Sequence, residues 1–168
     1  MEESQMVDLS FAEGATETLY VTQLTPTCFR LRETPVTGPE EEELYLGDVI
    51  EVELRPDGTY YFVRVVERAP MRHYSWIVPE FFVKSPQYGE YGAAVEAAGG
   101  AWEGLMNCWL LVHVPTGSTF DADGELDRSI AAANRQRRNN GGRSGRETPN
   151  NSTEIDKSSR FVIFKRDS

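Results

Sequence analysis

The clearest alternation of apolar and polar positions lies at residues 48–54. Apolar side chains occupy every second position and glutamates lie between them, in the order Ile50, Glu51, Val52, Glu53, Leu54. A period of two is typical of a β-strand with one face buried and the other in water. The pattern therefore predicts a half-buried strand whose two carboxylates point to solvent.

A second strand is predicted to return beside the first. Residues 56–58, Pro-Asp-Gly, favour a tight turn. Residues 60–66 follow, with Tyr61, Val63 and Val65 predicted on one face. We expect the two strands to form a β-hairpin.

Upstream of this hairpin the strand signals are shorter. Residues 19–21 and 28–31 are β-type runs, and Pro26 between them favours a turn, since proline cannot donate to a ladder. Residues 1–16 show no period and are predicted to be a loose leader. Residues 17–70 are predicted to form a β-rich subdomain, either a small meander or a partly open barrel.

Downstream, residues 71–168 combine helical and strand patterns in a predicted α/β subdomain. Residues 74–83 are aromatic and β-branched but are interrupted by Pro79, which favours two short extended pieces. Residues 89–103 favour a helix that ends near Gly99-Gly100. The predicted buried face of this helix carries Tyr91, Val95, Ala98 and Trp102.

The rest of this half predicts a strand, a helix, a loop and a strand. Residues 108–114 are apolar on both faces, as in a buried central strand, and a helix is predicted from Asp121 or Asp123. Residues 134–158 hold almost no apolar side chain, so we predict a flexible basic loop there, followed by a strand at residues 160–165. The whole order predicts an α+β fold in which a ferredoxin-like β-α-β-α-β unit follows the small β meander or barrel.

Charge is distributed unevenly along the chain. The net charge is −10, but residues 1–127 hold 23 acidic and seven basic side chains, a net −16. Residues 128–168 hold four acidic and ten basic side chains, a net +6. An acidic body disfavours nucleic acid and anionic membrane as main ligands, because both are polyanions. It favours a basic protein partner.

Six glutamates are candidates for contacting such a partner, four in a predicted loop and two on the predicted strand. They are Glu40, Glu41, Glu42, Glu43, Glu51 and Glu53. A run of carboxylates often serves only solubility. If the loop lies beside the strand, however, the six form one negative surface that steers a basic protein towards it.

A second candidate surface is basic and belongs to the predicted loop. Its five arginines are Arg135, Arg137, Arg138, Arg143 and Arg146. Arginine-rich segments are typical of RNA contacts, although no aromatic side chain is interleaved here to stack on bases. An RNA-associated regulator is therefore an alternative function, and a simply solvated loop is the structural alternative.

Candidates for catalysis or metal binding are few. The chain has two histidines and two cysteines, and His113 follows Cys108 by five positions, on the opposite face of a predicted strand. We expect His113 in the core or at a sheet edge, and His73 in an exposed connection. These four side chains lack the paired spacing of a zinc site, and residues 121–127 lack the last glutamate of a calcium loop. We expect no metal and no cofactor.

The sparse chemistry favours a non-catalytic protein over an enzyme. The remaining alternative is a hydrolase whose carboxylates come from distant positions. Its candidate acid–base pairs are Glu80 with Glu90 and Glu96 with Glu103.

The sequence also predicts a compartment. No run approaches the about 20 apolar residues of a membrane span, and the first residues lack a signal-peptide pattern. Cys28 and Cys108 are too sparse for a disulfide scaffold. We therefore expect a cytoplasmic protein with two buried thiols and no membrane contact.

Three short motifs occur in an order that resembles a known bacterial family. Residues 47–50 (GDVI) follow a short meander, residues 99–103 (GGAWE) end a predicted helix, and residues 110–115 (LLVHVP) form a predicted strand. Over residues 17–133 this order resembles the family catalogued as domain of unknown function 4265. The resemblance implies a small cytoplasmic protein without established catalytic residues, in a family with some members placed near toxin genes. Together with the acidic charge, it favours an inhibitor or immunity-type protein that masks a basic toxin or nuclease.

Overall fold

The computed structural model describes residues 4–12, 15–39 and 41–141. Within these ranges the fold is mixed α+β, as predicted, with eight strands and three helices. The chain divides into two compact units, Met1–Met71 and Arg72–Ser168. Outside the described residues lie Glu40, Arg143, Arg146 and the strand predicted at residues 160–165.

The first unit is a closed barrel of five strands. The strands are β1 (Ser4–Ala12), β2 (Ala15–Thr25), β3 (Cys28–Leu31), β4 (Val49–Leu54) and β5 (Tyr60–Glu67). Consecutive strands pair antiparallel, and β1 closes the barrel by pairing in parallel with β5. The barrel is therefore closed where a meander or partly open barrel was predicted. Closure gives each strand two paired neighbours and leaves no free sheet edge.

The first strand shows that the prediction of a loose leader over residues 1–16 is wrong for residues 4–12, and residues 15–16 already belong to β2. Strand β1 pairs with β2 along its whole length, and its residues Val7, Leu9 and Phe11 are buried in the barrel. These three apolar residues recur at the period of two of a half-buried strand. The polar residues between them lower the mean apolar content of the segment and weaken the sequence signal of the strand.

The predicted hairpin is present as β4 and β5, but its faces differ from the prediction. In β4, Ile50 and Val52 are buried as predicted, whereas Leu54 beside the turn is 59% exposed. In β5, Phe62 is buried and Val63 is exposed. Tyr61, which pairs with Glu53, shares the outer face with Val63 as predicted, whereas Val65 packs against the barrel core, so the predicted common face is wrong at Val65.

Two β-bulges in β5 cause this difference. The pairing of β5 with β4 skips one residue at Val63 and one at Val66. An extra residue on one strand shifts the alternation of all side chains that follow it. Val63 lies outward by regular alternation from the buried Phe62, and the shift at Val63 brings Val66 to the same outer surface, where each valine is 48% exposed.

The second unit combines three helices with a three-stranded sheet. Its elements are β6 (Met71–Ile77), α1 (Glu80–Val83), α2 (Pro86–Ala97), β7 (Ala101–Leu105), β8 (Trp109–Pro115) and α3 (Ala122–Gly141). The sheet order is β6-β8-β7, so β8 is the central strand, as its apolar sequence predicts. Leu110, Val112 and Val114 of β8 form one buried cluster with Tyr91 of α2 and Leu126 of α3.

Helix α2 ends close to where the glycine pair predicts. The Gly100 N–H donates to the Val95 carbonyl at 3.0 Å and the Gly99 N–H donates to the Glu96 carbonyl at 2.9 Å. Gly99 has a φ of 78°, so these bonds form a Schellman motif with glycine in the left-handed position. Trp102, predicted on the helix face, lies in β7 instead, because this motif ends the helix before it.

Strands β7 and β8 form a hairpin that was not predicted. Met106 and Asn107 have φ values of 50° and 59°, and the Cys108 N–H donates to the Leu105 carbonyl at 3.2 Å. Positive φ at both central positions is typical of the type I′ turn that joins antiparallel strands. Asparagine favours this conformation and methionine does not, so the sequence carries half of the usual turn signal.

Helix α3 begins at Ala122, close to the predicted start, but it continues to Gly141. The loop predicted at residues 134–158 is therefore wrong for residues 134–141, and residues 142–158 lie outside the described residues. Arginine and glutamine are good helix formers although they are polar. The Arg137 guanidinium also lies 4.7 Å above the Phe81 ring, which attaches this part of the helix to α1.

In the described part of the chain, no helix is long and apolar enough to cross a membrane.

Candidate functional site

The charge of the protein is concentrated on the barrel unit. Residues 1–71 contain 15 acidic and five basic side chains, a formal net charge of −10. Residues 72–168 contain 12 of each and are formally neutral. The negative field that was predicted for the body of the chain thus originates in its first unit.

The two predicted strand glutamates lie on the outer side of β4. Glu51 lies opposite Arg64 of β5 and accepts a hydrogen bond from Arg64 Nε at 2.6 Å. Glu53 is exposed and lies opposite Tyr61. Because the Arg64 side chain is 65% exposed, its ion pair with Glu51 contributes less than about 1 kcal/mol and opens readily.

The loop that carries the described glutamates is held by Arg68, which follows β5. Arg68 donates to the Glu42 carboxylate at 2.9 Å and also to the Glu43 main-chain carbonyl. The Glu43 carboxylate accepts a hydrogen bond from the Tyr45 hydroxyl, and Glu41 is exposed. The loop is thereby attached to the barrel at the end where β5 leaves it.

A buried carboxylate holds Arg68 in this position. Asp48 is fully buried and accepts hydrogen bonds from Arg68 Nη1 at 2.8 Å, from the Ala69 N–H at 2.8 Å and from the Tyr45 N–H at 3.1 Å. Three donors compensate for the burial of its charge. The loop glutamates thus lie at the end of the β4–β5 hairpin where Arg68 follows β5, and Glu51 and Glu53 lie along β4. We call Glu41, Glu42, Glu43, Glu51 and Glu53 the acidic face.

The predicted arginine cluster is divided between two sides of α3. Arg135 and Arg138 are three residues apart and exposed on one side of the helix. Arg137 lies on another side, above Phe81. Arg128 lies seven residues before Arg135 on the same helix and forms an ion pair with Glu125. Among the described residues, two arginines of the predicted five are thus exposed together.

Three titratable side chains form a hydrogen-bonded chain across the sheet of the second unit. His73 of β6 and His113 of β8 have their Nδ1 atoms 2.8 Å apart, and His113 Nε2 is 2.7 Å from Glu103 Oε2 of β7. His113 is fully buried, in agreement with its predicted place in the core. His73 was predicted in an exposed connection, and this prediction is wrong, because His73 lies half-buried in a strand. We call these three residues the histidine relay.

With Glu103 ionised and both rings neutral, the donor and acceptor chemistry of the three side chains gives the positions of the protons in the relay. A neutral imidazole has one N–H donor and one acceptor nitrogen. Because an ionised carboxylate only accepts, His113 donates to Glu103 from Nε2 and accepts at Nδ1. His73 then donates from its own Nδ1. The relay is thus polarised in one direction, from His73 through His113 to Glu103.

The relay was not predicted because its members come from three strands. His73 and His113 are 40 positions apart in sequence. The available signal was a histidine inside an otherwise apolar strand, because a buried polar side chain requires a partner.

Within the described ranges, no cluster of three or more His, Cys, Asp or Glu side chains has the arrangement of a metal site. Cys28 and Cys108 are free, half-buried thiols.

Three of the four carboxylates considered for a hydrolase have other contacts. Glu96 accepts a hydrogen bond from Trp102 Nε1 at 3.0 Å, and Glu103 belongs to the relay. Glu80 forms an ion pair with Lys84, whose hydrogen bond and charge lower the pKa of the Glu80 carboxyl. A lowered pKa keeps Glu80 ionised and unsuited to donate a proton as a general acid.

Comparison with known proteins bears on the fold. No family model and no curated protein matches the chain. A solved structure of a hypothetical protein from Neisseria gonorrhoeae is similar, with 20% sequence identity and a TM-score of 0.50, over 79% of this chain and 90% of that chain. At this level of identity the likeness extends to the fold and carries no activity or partner with it.

Proposed function

We propose that this protein is a non-catalytic binding protein whose acidic face covers a basic protein, in the manner of an inhibitor or immunity protein. The observation that supports the proposal is the segregation of charge, since the barrel unit carries the formal net charge of −10 and the second unit carries none. A field of one sign on one unit attracts a basic partner to that unit and repels acidic competitors. The resemblance to the family of unknown function 4265 stays a prediction that is compatible with this role.

The acidic face also has suitable local chemistry for a basic partner. Glu41 and Glu53 are exposed, and the exposed pair between Glu51 and Arg64 exchanges at low cost for a partner lysine or arginine. In contrast, Asp48 is fully buried and bound by three donors, so it serves the fold and not the partner. We expect the exposed carboxylates to act mainly on the rate of association.

The test is to isolate the protein that binds at defined stoichiometry and to measure association rates with purified variants. Glu51→Lys with Glu53→Lys should slow association about tenfold or more at low salt, and the difference should shrink as salt rises. The matched control is Glu90→Lys with Asp127→Lys, which makes the same charge change at two exposed positions of the second unit. Equal slowing by both double variants would show that net charge acts without the acidic face and would contradict the proposal.

An RNA-associated role is the second candidate, and the exposed pair Arg135 and Arg138 on α3 favours it. Nucleic acid that stays bound through purification and is released by Arg135→Gln with Arg138→Gln would support this role. The same variant should leave association with a basic protein unchanged. The hydrolase alternative has no comparable support from the carboxylate pairs considered for it.

We further propose a ferredoxin-like arrangement for the second unit. The order β6-β8-β7, with helices after β6 and after β8, matches three strands and two helical positions of that arrangement. The strand predicted at residues 160–165 would supply the fourth strand of that arrangement, and it lies outside the described residues. The cytoplasm remains the proposed compartment, in keeping with the two free thiols.

A further inference from the structure

The outer side of β5 carries two valines that regular alternation would not place together there. The register with β4 skips Val63 and Val66, and each of the two is 48% exposed. Each valine is followed by a charged, exposed residue, Arg64 and Glu67. Bulges interrupt the hydrogen-bonded ladder and redirect side chains, and they recur next to functional surfaces.

We infer that Val63 and Val66 form the apolar contact of the acidic face, and that its occupant is a basic protein segment with aliphatic side chains between its lysines or arginines. The inference rests on the proposed function and adds the site of close contact to it. Single exposed valines are common on protein surfaces and need no explanation. Here the bulge at Val63 brings Val66 to the same outer side as Val63 and the acidic residues of β4.

The surroundings of the two valines fit the composition of a binding interface. Glu51 with Arg64 and Glu53 with Tyr61 lie in the same outer layer, since directly paired residues of antiparallel strands share a face. The Arg55 guanidinium lies 4.1 Å above the Tyr61 ring and limits the freedom of that aromatic side chain. An apolar centre with a charged rim is the usual anatomy of a specific protein interface.

The two kinds of residue should affect binding differently. Carboxylates act at a distance and change the encounter rate, with an effect that salt screens. Methyl groups act in contact, so their loss should increase the dissociation rate and should be insensitive to salt. The net charge of −10 on the barrel unit selects basic segments, and the valines distinguish segments that also carry aliphatic side chains.

The test uses the full chain and two synthetic peptides of equal length and equal positive charge. One peptide alternates lysine with valine, and the other alternates lysine with serine. The variant is Val63→Thr with Val66→Thr, which keeps β-branching and shape while replacing a methyl by a hydroxyl group. The control is Val36→Thr, because Val36 is 43% exposed in the connection between β3 and β4. The single variants Val63→Thr and Val66→Thr are included in case the double variant does not fold, as judged by circular dichroism.

We expect the double variant to bind the lysine–valine peptide about tenfold more weakly, through faster dissociation, and to bind the lysine–serine peptide as the wild type does. The Val36→Thr control should bind both peptides like the wild type. An unchanged affinity of the double variant for the lysine–valine peptide would overturn the inference, as would an equal loss for both peptides.

The proposed function is tested separately in the same experiment by Glu51→Gln with Glu53→Gln. Weaker binding of both peptides by this variant at low salt supports the acidic face, whatever the valine variants do. If this variant binds both peptides as the wild type does, the proposed function fails, and the valine inference fails with it.

Discussion

The Nδ1 atoms of His73 and His113 lie 2.8 Å apart, so a single proton lies between the two rings. Glu103 lies 2.7 Å from the other nitrogen of His113, and an ionised Glu103 accepts a hydrogen bond from it, which leaves His73 as the donor between the two neutral rings. The neutral relay has one consistent arrangement, with His73 protonated on Nδ1 and His113 on Nε2.

We therefore expect long-range proton–nitrogen correlation spectra to show the Nε2–H tautomer for His113. In the His73→Phe variant His113 should keep this tautomer, because Glu103 still accepts its proton. The neutral ring of His73 in the wild type should show the opposite tautomer, with its proton on Nδ1. A spectrum with an Nδ1 proton on neutral His113 would contradict the polarity of the relay.

The buried carboxylate of Asp48 gives a prediction for the stability of the barrel unit. Asp48→Asn places an amide N–H₂ group among donors from Arg68, Ala69 and Tyr45, so at least one hydrogen bond is lost and the charge of Arg68 loses its buried partner. We expect a loss of about 2–4 kcal/mol in the free energy of unfolding, measured by urea denaturation. Glu67→Gln, an equivalent change at an exposed site, should stay within about 0.5 kcal/mol of the wild type. Similar urea midpoints for Asp48→Asn and Glu67→Gln would show that Asp48 does not anchor the loop that carries Glu42 and Glu43.

Two glycines of α2 should respond in opposite directions to the same substitution. A Cβ on Gly92 would lie 2.2 Å from the indole Cε2 of Trp102, whereas a Cβ on Gly89 would meet nothing within 4 Å. Gly89→Ala should stabilise the protein by about 0.5–1 kcal/mol, the usual helix gain. Gly92→Ala should destabilise it by about 1–3 kcal/mol, because Trp102 must leave its contact with the helix.

Thermal and urea denaturation of the two alanine variants are sufficient for this comparison. Trp102 fluorescence should also change in the Gly92 variant and not in the Gly89 variant. Stabilisation by both substitutions would mean that the indole moves aside without cost and that its position against α2 is not specified.

Tyr91 gives a prediction for alkaline pH. Burial, followed by the negative charges of Asp123 and Glu125, raises the pKa of the Tyr91 hydroxyl above its ordinary value. The folded protein therefore holds this proton more tightly than the unfolded chain, whose tyrosine ionises at about pH 10. The corresponding stability is fully present below that pH and is lost as the pH rises above it.

Urea midpoints on both sides of pH 10 measure this effect. In the wild type the free energy of unfolding should fall as the pH rises above about 10, and in Tyr91→Phe it should fall less steeply because the group is absent. The hydroxyl also donates to the Ala122 carbonyl at 3.2 Å, so the variant starts from a somewhat lower stability at neutral pH. If the free energy of unfolding falls equally steeply in the wild type and in Tyr91→Phe, Tyr91 ionises as readily in the folded protein as in the unfolded chain.

Local features of the fold were predictable because they depend on residues that are close in sequence. The alternation that ends at Val52 places β4, the apolar run from Leu110 places β8 at the centre of its sheet, and Gly99 marks the end of α2. A period of two or a left-handed glycine acts through the backbone of its own segment. Such signals identify elements, but they say little about which elements become neighbours.

By itself, then, the sequence determined the α+β class, most of the strands and the candidate acidic residues. Tertiary structure decided the rest. Val66 shares the outer side with Val63 because of the register between β5 and β4, and that register depends on the whole closed barrel. The histidine relay exists because the order β6-β8-β7 brings together side chains from three strands. Pairing across a sheet depends on the burial of both faces and on closure of the chain, which no local pattern of residues records.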